Sequence, residues 1–279
     1  EPQGEPDLTE WKEFLERMGR ASEEINIGLV GKYAELQDAY KSINESLHQA
    51  ATYCDRKLNL IYIHSEKLTD ENVAERLGNL DGVVIAPGFG PRGIDGKLVA
   101  LKYCREHNMP TFGICLGMQC MVIEYARNVL GLTEANSTEM RPDTPDNVID
   151  LMEEQKSISN MGGTMRLGAF ACRLAPDSLA AKAYGKTDIS ERHRHRFEFN
   201  SDYRQRFEQA GMACTGSNPE TGLVEVVELP DHDWYLGTQY HPEYQSTVLC
   251  PNPLFISFMQ AAVKRHHSAR NSAHHSANN

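Results

Sequence analysis

Long apolar runs, paired cysteines and a basic charge balance are all missing from this sequence. No stretch approaches the roughly 20 consecutive apolar residues that cross a bilayer, so no membrane partner is expected. The seven cysteines (54, 104, 115, 120, 172, 214 and 250) are odd in number and lack CxxC spacing, and nothing reads as a secretory signal. A disulfide framework and a structural zinc site are therefore not expected, and the thiols read as reduced in a cytoplasmic setting. Lys and Arg number 28 against 39 Asp and Glu, and the formal charge of -11 repels phosphate backbones, which argues against nucleic acid as a partner. Only Arg192-His193-Arg194-His195-Arg196 is locally basic, and it is short. A Walker-type phosphate loop is missing too. What is present, 40% hydrophobic and 24% charged residues, is the composition of a globular chain able to bury a full core.

The chain divides into three stretches. Residues 1–24 place Trp11, Phe14, Leu15 and Met18 at helical spacing, which predicts a short amphipathic linker helix leading out of a neighbour that this sequence does not include. Residues 266–279 are rich in His, Ser, Ala and Asn without periodicity and read as a disordered tail. Residues 25–265 read as one domain. Its first half alternates apolar runs at 25–30, 58–63, 83–86 and 111–114 with helical patterns near 39–52, 70–80, 96–107 and 116–130. Near-continuous apolar runs are how buried parallel strands look, so the expected fold class is α/β, an open, mostly parallel sheet flanked by helices. In the helix at 116–130, Met118, Met121, Val122, Tyr125 and Val129 make the apolar face. The second half adds strands near 165–173, 193–199, 223–229 and 234–241, then a closing helix near 253–265.

Chemistry concentrates at three places. In Gly113-Ile114-Cys115-Leu116-Gly117-Met118-Gln119 a strand runs straight into a helix, which puts the thiol on a sharp turn at the carboxyl end of the sheet, where α/β folds bind ligands. The helix start favours thiolate, the Leu116 N–H is free for an oxyanion, and Gly113 and Gly117 remove crowding side chains. The plain alternative is a small buried hydrophobe. In Gln239-Tyr240-His241-Pro242-Glu243, residues two apart on extended backbone share a face, so Glu243 can hold one nitrogen of His241 while the other takes a thiol proton. Without a nucleophile this would read as a surface pair. Third, Pro87-Gly88-Phe89-Gly90-Pro91-Arg92-Gly93 contains G-x-G-x-x-G, but it follows the third strand rather than the first, and the next strand ends in Ile114 and Cys115 without an acidic residue. A strand-end loop supplying a second oxyanion N–H from Gly88 fits better than dinucleotide binding.

Together these segments resemble the class I glutamine amidotransferases. Gly31-Lys32-Tyr33, Asp38-Ala39-Tyr40-Lys41-Ser42, Asn136-Ser137-Thr138-Glu139, Gly162-Gly163-Thr164-Met165-Arg166-Leu167-Gly168 and Glu191-Arg192-His193-Arg194-His195-Arg196 are similar, more narrowly, to the carboxy-terminal glutaminase domains of the CTP synthase family. The resemblance implies a triad of Cys115, His241 and Glu243, glutamine-binding positions at Gly88, Leu116, Gln119, Glu139 and Arg196, and no metal in this domain. It also implies L-glutamine as substrate, a partner synthetase domain that uses ATP and Mg to activate UTP, GTP as allosteric activator, and a homotetramer for the full-length enzyme. Arg196 can grip the α-carboxylate bidentately and Glu139 the α-ammonium, although Glu139 can also be read as a loop cap, and alternation puts Arg192, Arg194 and Arg196 on one solvated face. Where relatives have Pro-Gly-Gly-Phe-Gly this chain has Ala86-Pro87-Gly88-Phe89-Gly90, so Pro87 cannot donate an N–H. The loop around Gly88 reads as having little to hold it, and Phe89, Arg92 and Arg166 are expected near the GTP and synthetase contact. Rival readings are a glutaminase serving another synthetase, or a sensing module with an idle triad.

Overall fold

The computed structural model describes residues 6–151 and 165–276. After α1 (Thr9–Arg20) come four strands, β1 (Glu24–Gly31), β2 (Lys57–His64), β3 (Gly82–Ile85) and β4 (Thr111–Ile114). They alternate with α2 (Lys41–Tyr53), α3 (Val73–Leu77) and α4 (Ile94–Glu106), and β4 turns directly into α5 (Leu116–Asn128). All four strands pair in parallel, in the order β2-β1-β3-β4. A later strand, β12 (Tyr235–Thr238), adds parallel to β4, and β11 (Val224–Glu228), β10 (Ala213–Ser217), β7 (Arg166–Leu174) and β8 (Asp188–His195) extend the sheet antiparallel to nine strands. This is the expected mostly parallel α/β sheet with an antiparallel extension.

Period-2 alternation on the strands divides the core between the two faces of the sheet. Ile25, Ile27, Leu29 and Val84 pack with Ile43 and Leu47 of α2 and with Leu254, Phe255, Phe258 and Met259 of the closing helix. Val30, Val83 and Ile85 pack on the other side with Leu98 and Leu101 of α4 and with Met118, Met121 and Val122 of α5. Each such side chain contributes roughly 1.5–3 kcal/mol on burial.

Several expectations need correction. Helix α5 is buried on every side from Leu116 to Ala126 rather than along one face. Besides α4, a second small sheet of β5 (Asn136–Ser137), β6 (Asn147–Leu151) and β9 (Phe197–Phe199) covers it. Val129, past the end of α5, is 40% exposed. The strand expected at 193–199 is two strands broken at Arg196, because β8 joins the large sheet and β9 the small one. Strand β10 and two short helices, α6 (Leu179–Tyr184) and α7 (Arg204–Ala210), had no clear pattern in the sequence. The closing helix, α8 (Pro253–Ser276), continues through most of the stretch read as a disordered tail, where neither Gly nor Pro interrupts it. Helix α1 is anchored on α2 by Arg17, which pairs with Asp55 at 2.8 Å and lies over the Tyr53 ring, while Trp11, Leu15 and Met18 stay exposed. Among the described residues no helix is long and apolar enough to cross a membrane.

Candidate active site

Cys115 joins the centre of the sheet to α5 in a conformation that side chains rarely adopt, φ 52° and ψ -104°. That geometry costs roughly 1–3 kcal/mol and persists only where the surroundings impose it. Here the Cys115 N–H donates to the Thr238 carbonyl of β12 at 2.7 Å, and a Cβ on Gly117 would stand 2.2 Å from the Ile85 carbonyl oxygen of β3. A Cβ on Gly113 would meet the backbone of Gly117 at 2.9 Å. The two glycines thus let the first turn of α5 press onto the sheet, and the thiol is left 3% exposed at its carboxyl edge.

The base arrives by a different route from the one expected. β12 ends at Thr238, and Pro242–Tyr244 form a 3-10 turn whose first position suits the fixed φ of proline. His241 and Glu243 therefore meet across a turn instead of along an extended strand, with Nδ1 2.7 Å from Oε1 of the carboxylate. Burial pulls the His241 pKa down, but the neighbouring Cys115 and Glu243 outweigh it and hold the imidazole well above its ordinary value. Its Nε2 is buried, and the ring stacks on Tyr244 with centroids 4.8 Å apart. This is a carboxylate-oriented imidazole beside a cysteine thiol.

The loop after β3 lies against the elbow, since a Cβ on Gly88 would stand 3.4 Å from Leu116 Cδ2. It is held at three points, contrary to the reading that little fixes it. Lys97 of α4, itself buried, donates to the Ala86 carbonyl at 2.6 Å; Lys32 donates to the Phe89 carbonyl; and the Gly90 N–H donates to Glu139 Oε1 at 2.9 Å. Glu139 therefore acts as the loop cap that was the alternative reading. Its second oxygen keeps the carboxylate able to meet an ammonium. Gln119 is buried, with its side-chain N–H groups on the Phe197 carbonyl at 2.8 Å and Gln239 Oε1 at 3.2 Å. Arg196 is half-buried at the break between β8 and β9, whereas Arg192 and Arg194 are exposed and His193 and His195 buried, as alternation predicts. Phe89 and Arg92 lie at the surface, but Arg166 does not: it forms a buried pair with Glu225 at 2.6 Å and covers the Phe170 ring. Gly162, Gly163 and Thr164 lie outside the described residues.

His193, His195 and Glu225 have the side-chain types of a metal site and lie close enough to share an ion. Part of their hydrogen-bonding capacity is already engaged, while His193 Nε2 and Glu225 Oε2 are buried without a hydrogen-bond partner among the described residues. The Phe197 carbonyl can only accept, so His195 Nδ1 carries the proton, and His195 Nε2 accepts from His193 Nδ1 at 2.9 Å. Glu225 is neutralised by Arg166.

Sequence reasoning missed Lys97, Tyr244 and the roles of Lys32 and Gln239, whose Nε2 lies 3.6 Å from Cys115 Sγ. Lysine within a helix carries no signal of burial, and Gln239 stood in a quoted motif without an assigned task.

The fold and this constellation define a class of enzyme built around a cysteine nucleophile. The chain belongs to the class-I glutamine amidotransferases, whose family pattern, described as "Glutamine amidotransferase class-I", matches residues 35–261. Within that family its likeness is to CTP synthases. It is 64% identical over 265 residues to the CTP synthase of Bacteroides fragilis, covering 95% of this chain and 50% of that protein. To the CTP synthase of Porphyromonas gingivalis it is 63% identical over 259 residues, covering 93% and 48%. A solved structure described as the glutaminase domain of Trypanosoma brucei CTPS with bound acivicin matches with a TM-score of 0.81 at 37% identity, covering 86% of this chain and 94% of that one. The chain spans about half the length of the curated relatives it matches.

Proposed function

We propose that this chain hydrolyses the side-chain amide of L-glutamine through a cysteinyl thioester and supplies the ammonia with which a synthetase domain outside this sequence aminates UTP to CTP. The observation that carries the reading is the buried Glu243–His241 pair beside a thiol on a strained strand-to-helix elbow. The Cys115 thiolate adds to the amide carbon, and the carbonyl electron pair moves onto oxygen, where the N–H groups of Gly88 and Leu116 receive it. His241 gives its proton to the departing ammonia, leaving a thioester. A water then attacks, His241 accepts its proton, and glutamate leaves as the thiolate is restored. Thiol, imidazole, carboxylate and amides supply every charge and proton, so the reaction calls on no cofactor in this domain.

In the same reading Arg196 receives the substrate α-carboxylate, Glu139 the α-ammonium through its uncommitted oxygen, and Gln119 lines the site through its carbonyl. Residues 1–24 serve as the linker from the synthetase domain, which binds ATP and Mg, and the exposed Trp11, Leu15 and Met18 support this. GTP activates the glutaminase, and the full-length enzyme assembles as a homotetramer in the cytoplasm. The net charge of -11 and seven free cysteines are consistent with reduced surroundings and no nucleic-acid partner.

The test is glutamate release by the purified chain, with mass spectrometry of a glutamine-analogue adduct. Adduct on Cys115, with turnover that rises when the synthetase domain and GTP are added, is the expected result. Adduct on another residue overturns the site, an unchanged rate overturns the coupling, and a thiol without adduct or turnover under all these conditions marks an idle module.

A further inference from the structure

We propose that Gln239 is a further catalytic residue, whose side-chain amide donates a hydrogen bond to Cys115 Sγ and holds the nucleophile as thiolate before glutamine arrives. The inference rests on the glutaminase reading and adds a residue to that site. Gln239 is fully buried one residue past β12, and its backbone N–H is tied to the Glu225 carbonyl of β11 at 2.8 Å, so the side chain springs from a fixed point of the sheet. Its Nε2 stands 3.6 Å from the sulfur, an ordinary distance for an N–H donor to a large, polarizable acceptor.

An amide can present either end, and the neighbours decide which. Gln119 Nε2 donates to the Phe197 carbonyl, which can only accept, so that end of Gln119 must be its NH2 group. Its second N–H points to Gln239 at 3.2 Å, which requires the oxygen of Gln239 there. The NH2 group of Gln239 is then the end that faces Cys115. Turning Gln239 over would set two NH2 groups against each other and an oxygen against the thiolate. A chain thus runs from the Phe197 carbonyl through Gln119 and Gln239 to the sulfur, and each link fixes the polarity of the next.

The other groups around the thiol do not duplicate this donor. His241 carries the compensating positive charge, Lys97 of α4 acts at longer range while donating to the Ala86 carbonyl, and Cys120 is buried one turn into α5 with its own pKa pushed up to about 11. The Arg194 carbonyl, 3.9 Å from the sulfur, can accept from a thiol but offers nothing to a thiolate. Gln239 is therefore the neutral donor that favours the charged form and remains in place while His241 gives up its proton. Hydrogen bonds to charged groups are the stronger kind, and losing one corresponds to about a tenfold or greater change in equilibrium.

The experiment is the rate of Cys115 alkylation by chloroacetamide as a function of pH, followed by mass spectrometry without substrate. Gln239→Met keeps the length and removes the donor; it should be alkylated about tenfold more slowly than the parent near pH 6 and at the parent's rate or slightly faster near pH 9, above the roughly 8.5 of a free cysteine. A residue that mattered only for packing would change the rate at both ends. If Gln239→Met fails to fold by circular dichroism, Gln239→Glu takes its place, and a carboxylate beside the sulfur should slow alkylation near pH 6 by more than tenfold. Superimposable profiles for parent and variant overturn the proposal. A parent chain that neither releases glutamate nor takes up a glutamine-analogue adduct, even with the synthetase domain and GTP, would overturn the glutaminase reading instead, so the two failures are distinguishable.

Discussion

Two histidine–glutamate clusters are buried in the same part of this chain, and they titrate in opposite directions. After β12, His241 sits on Glu243 and beside Cys115, and its pKa is raised well above the ordinary value. On β8 and β11, His193 and His195 sit by Glu225, yet burial and a positive neighbourhood push them down to about 2 and about 3. Residue types and burial are alike, so neither explains the difference; the sign of the nearest charge does. Among the described residues Glu243 pairs with no arginine and acts with Cys115 on His241, whereas Arg166 pairs with Glu225 at 2.6 Å and leaves the histidines facing a positive group. The two buried His–Glu clusters thus diverge because Cys115 and Glu243 flank His241, whereas Arg166 stands beside His193 and His195.

The comparison breaks most completely at the nucleophile. Cys115→Ala should abolish glutamate release, whereas Cys120→Ala should retain it, because the Cys120 thiol is pushed up to about 11 by burial and stays protonated. Activity remaining in the first variant would show that the titration of His241 has been misassigned to catalysis.

Next in size is the orienting carboxylate. Glu243→Gln keeps the shape of the turn but removes the charge that helps hold His241 protonated, and kcat should fall about 10²–10⁴-fold. A loss confined to KM would mean that Glu243 serves substrate binding rather than His241.

On the structural side, Arg166→Met strands a buried carboxylate and should cost about 3–5 kcal/mol in denaturant unfolding. Adding Glu225→Leu to that variant should recover most of the loss. If the double variant is as unstable as the single one, the arginine matters for covering the Phe170 ring rather than for its charge.

The smallest effect is acid sensitivity. An unfolded histidine takes up a proton near 6.5, but the folded His195 does not until about 3 and His193 until about 2. In that window the unfolded chain binds more protons, so stability falls with pH by about 1.4 kcal/mol per unit for each histidine. Glu191 and Glu225, raised to about 7 by burial, act in the opposite sense between about 7 and their ordinary 4.5, because they take up protons while folded. These slopes offset each other down to about 4.5, below which the histidines act in the same sense as Asp7, Glu71 and Asp188, whose carboxyls are lowered by hydrogen bonds. His195→Gln should therefore flatten the stability profile between about pH 4.5 and 3 when unfolding midpoints are compared. An unchanged slope there would show that His195 is already charged in the folded protein.

Much of this arrangement was legible before the fold was known. The parallel strands announced themselves as short apolar runs, and the elbow could be located because a strand ending at Ile114 leaves no room for a loop before the helix at Leu116. Gly113 and Gly117 were readable for the same reason, since close approach of backbone to backbone leaves glycine as the only fit. Less legible was β10, where Gly216 and irregular pairing with β11 hide the alternation. The burial of Arg166 was not legible because a lone arginine in a sequence looks solvated. Its burial depends on Glu225, 59 residues away.

The sequence by itself determined the parallel sheet, the strand-to-helix elbow at Cys115 and the pairing of His241 with Glu243, because each is set by local periodicity or by residues within a few positions of one another. Only the tertiary structure decided which histidines carry charge, what pins the loop at Gly88, and which end of Gln239 meets the sulfur. Those outcomes turn on the sign and polarity of groups brought together from distant strands, through interactions that act over a few ångströms of space and leave no period in the chain.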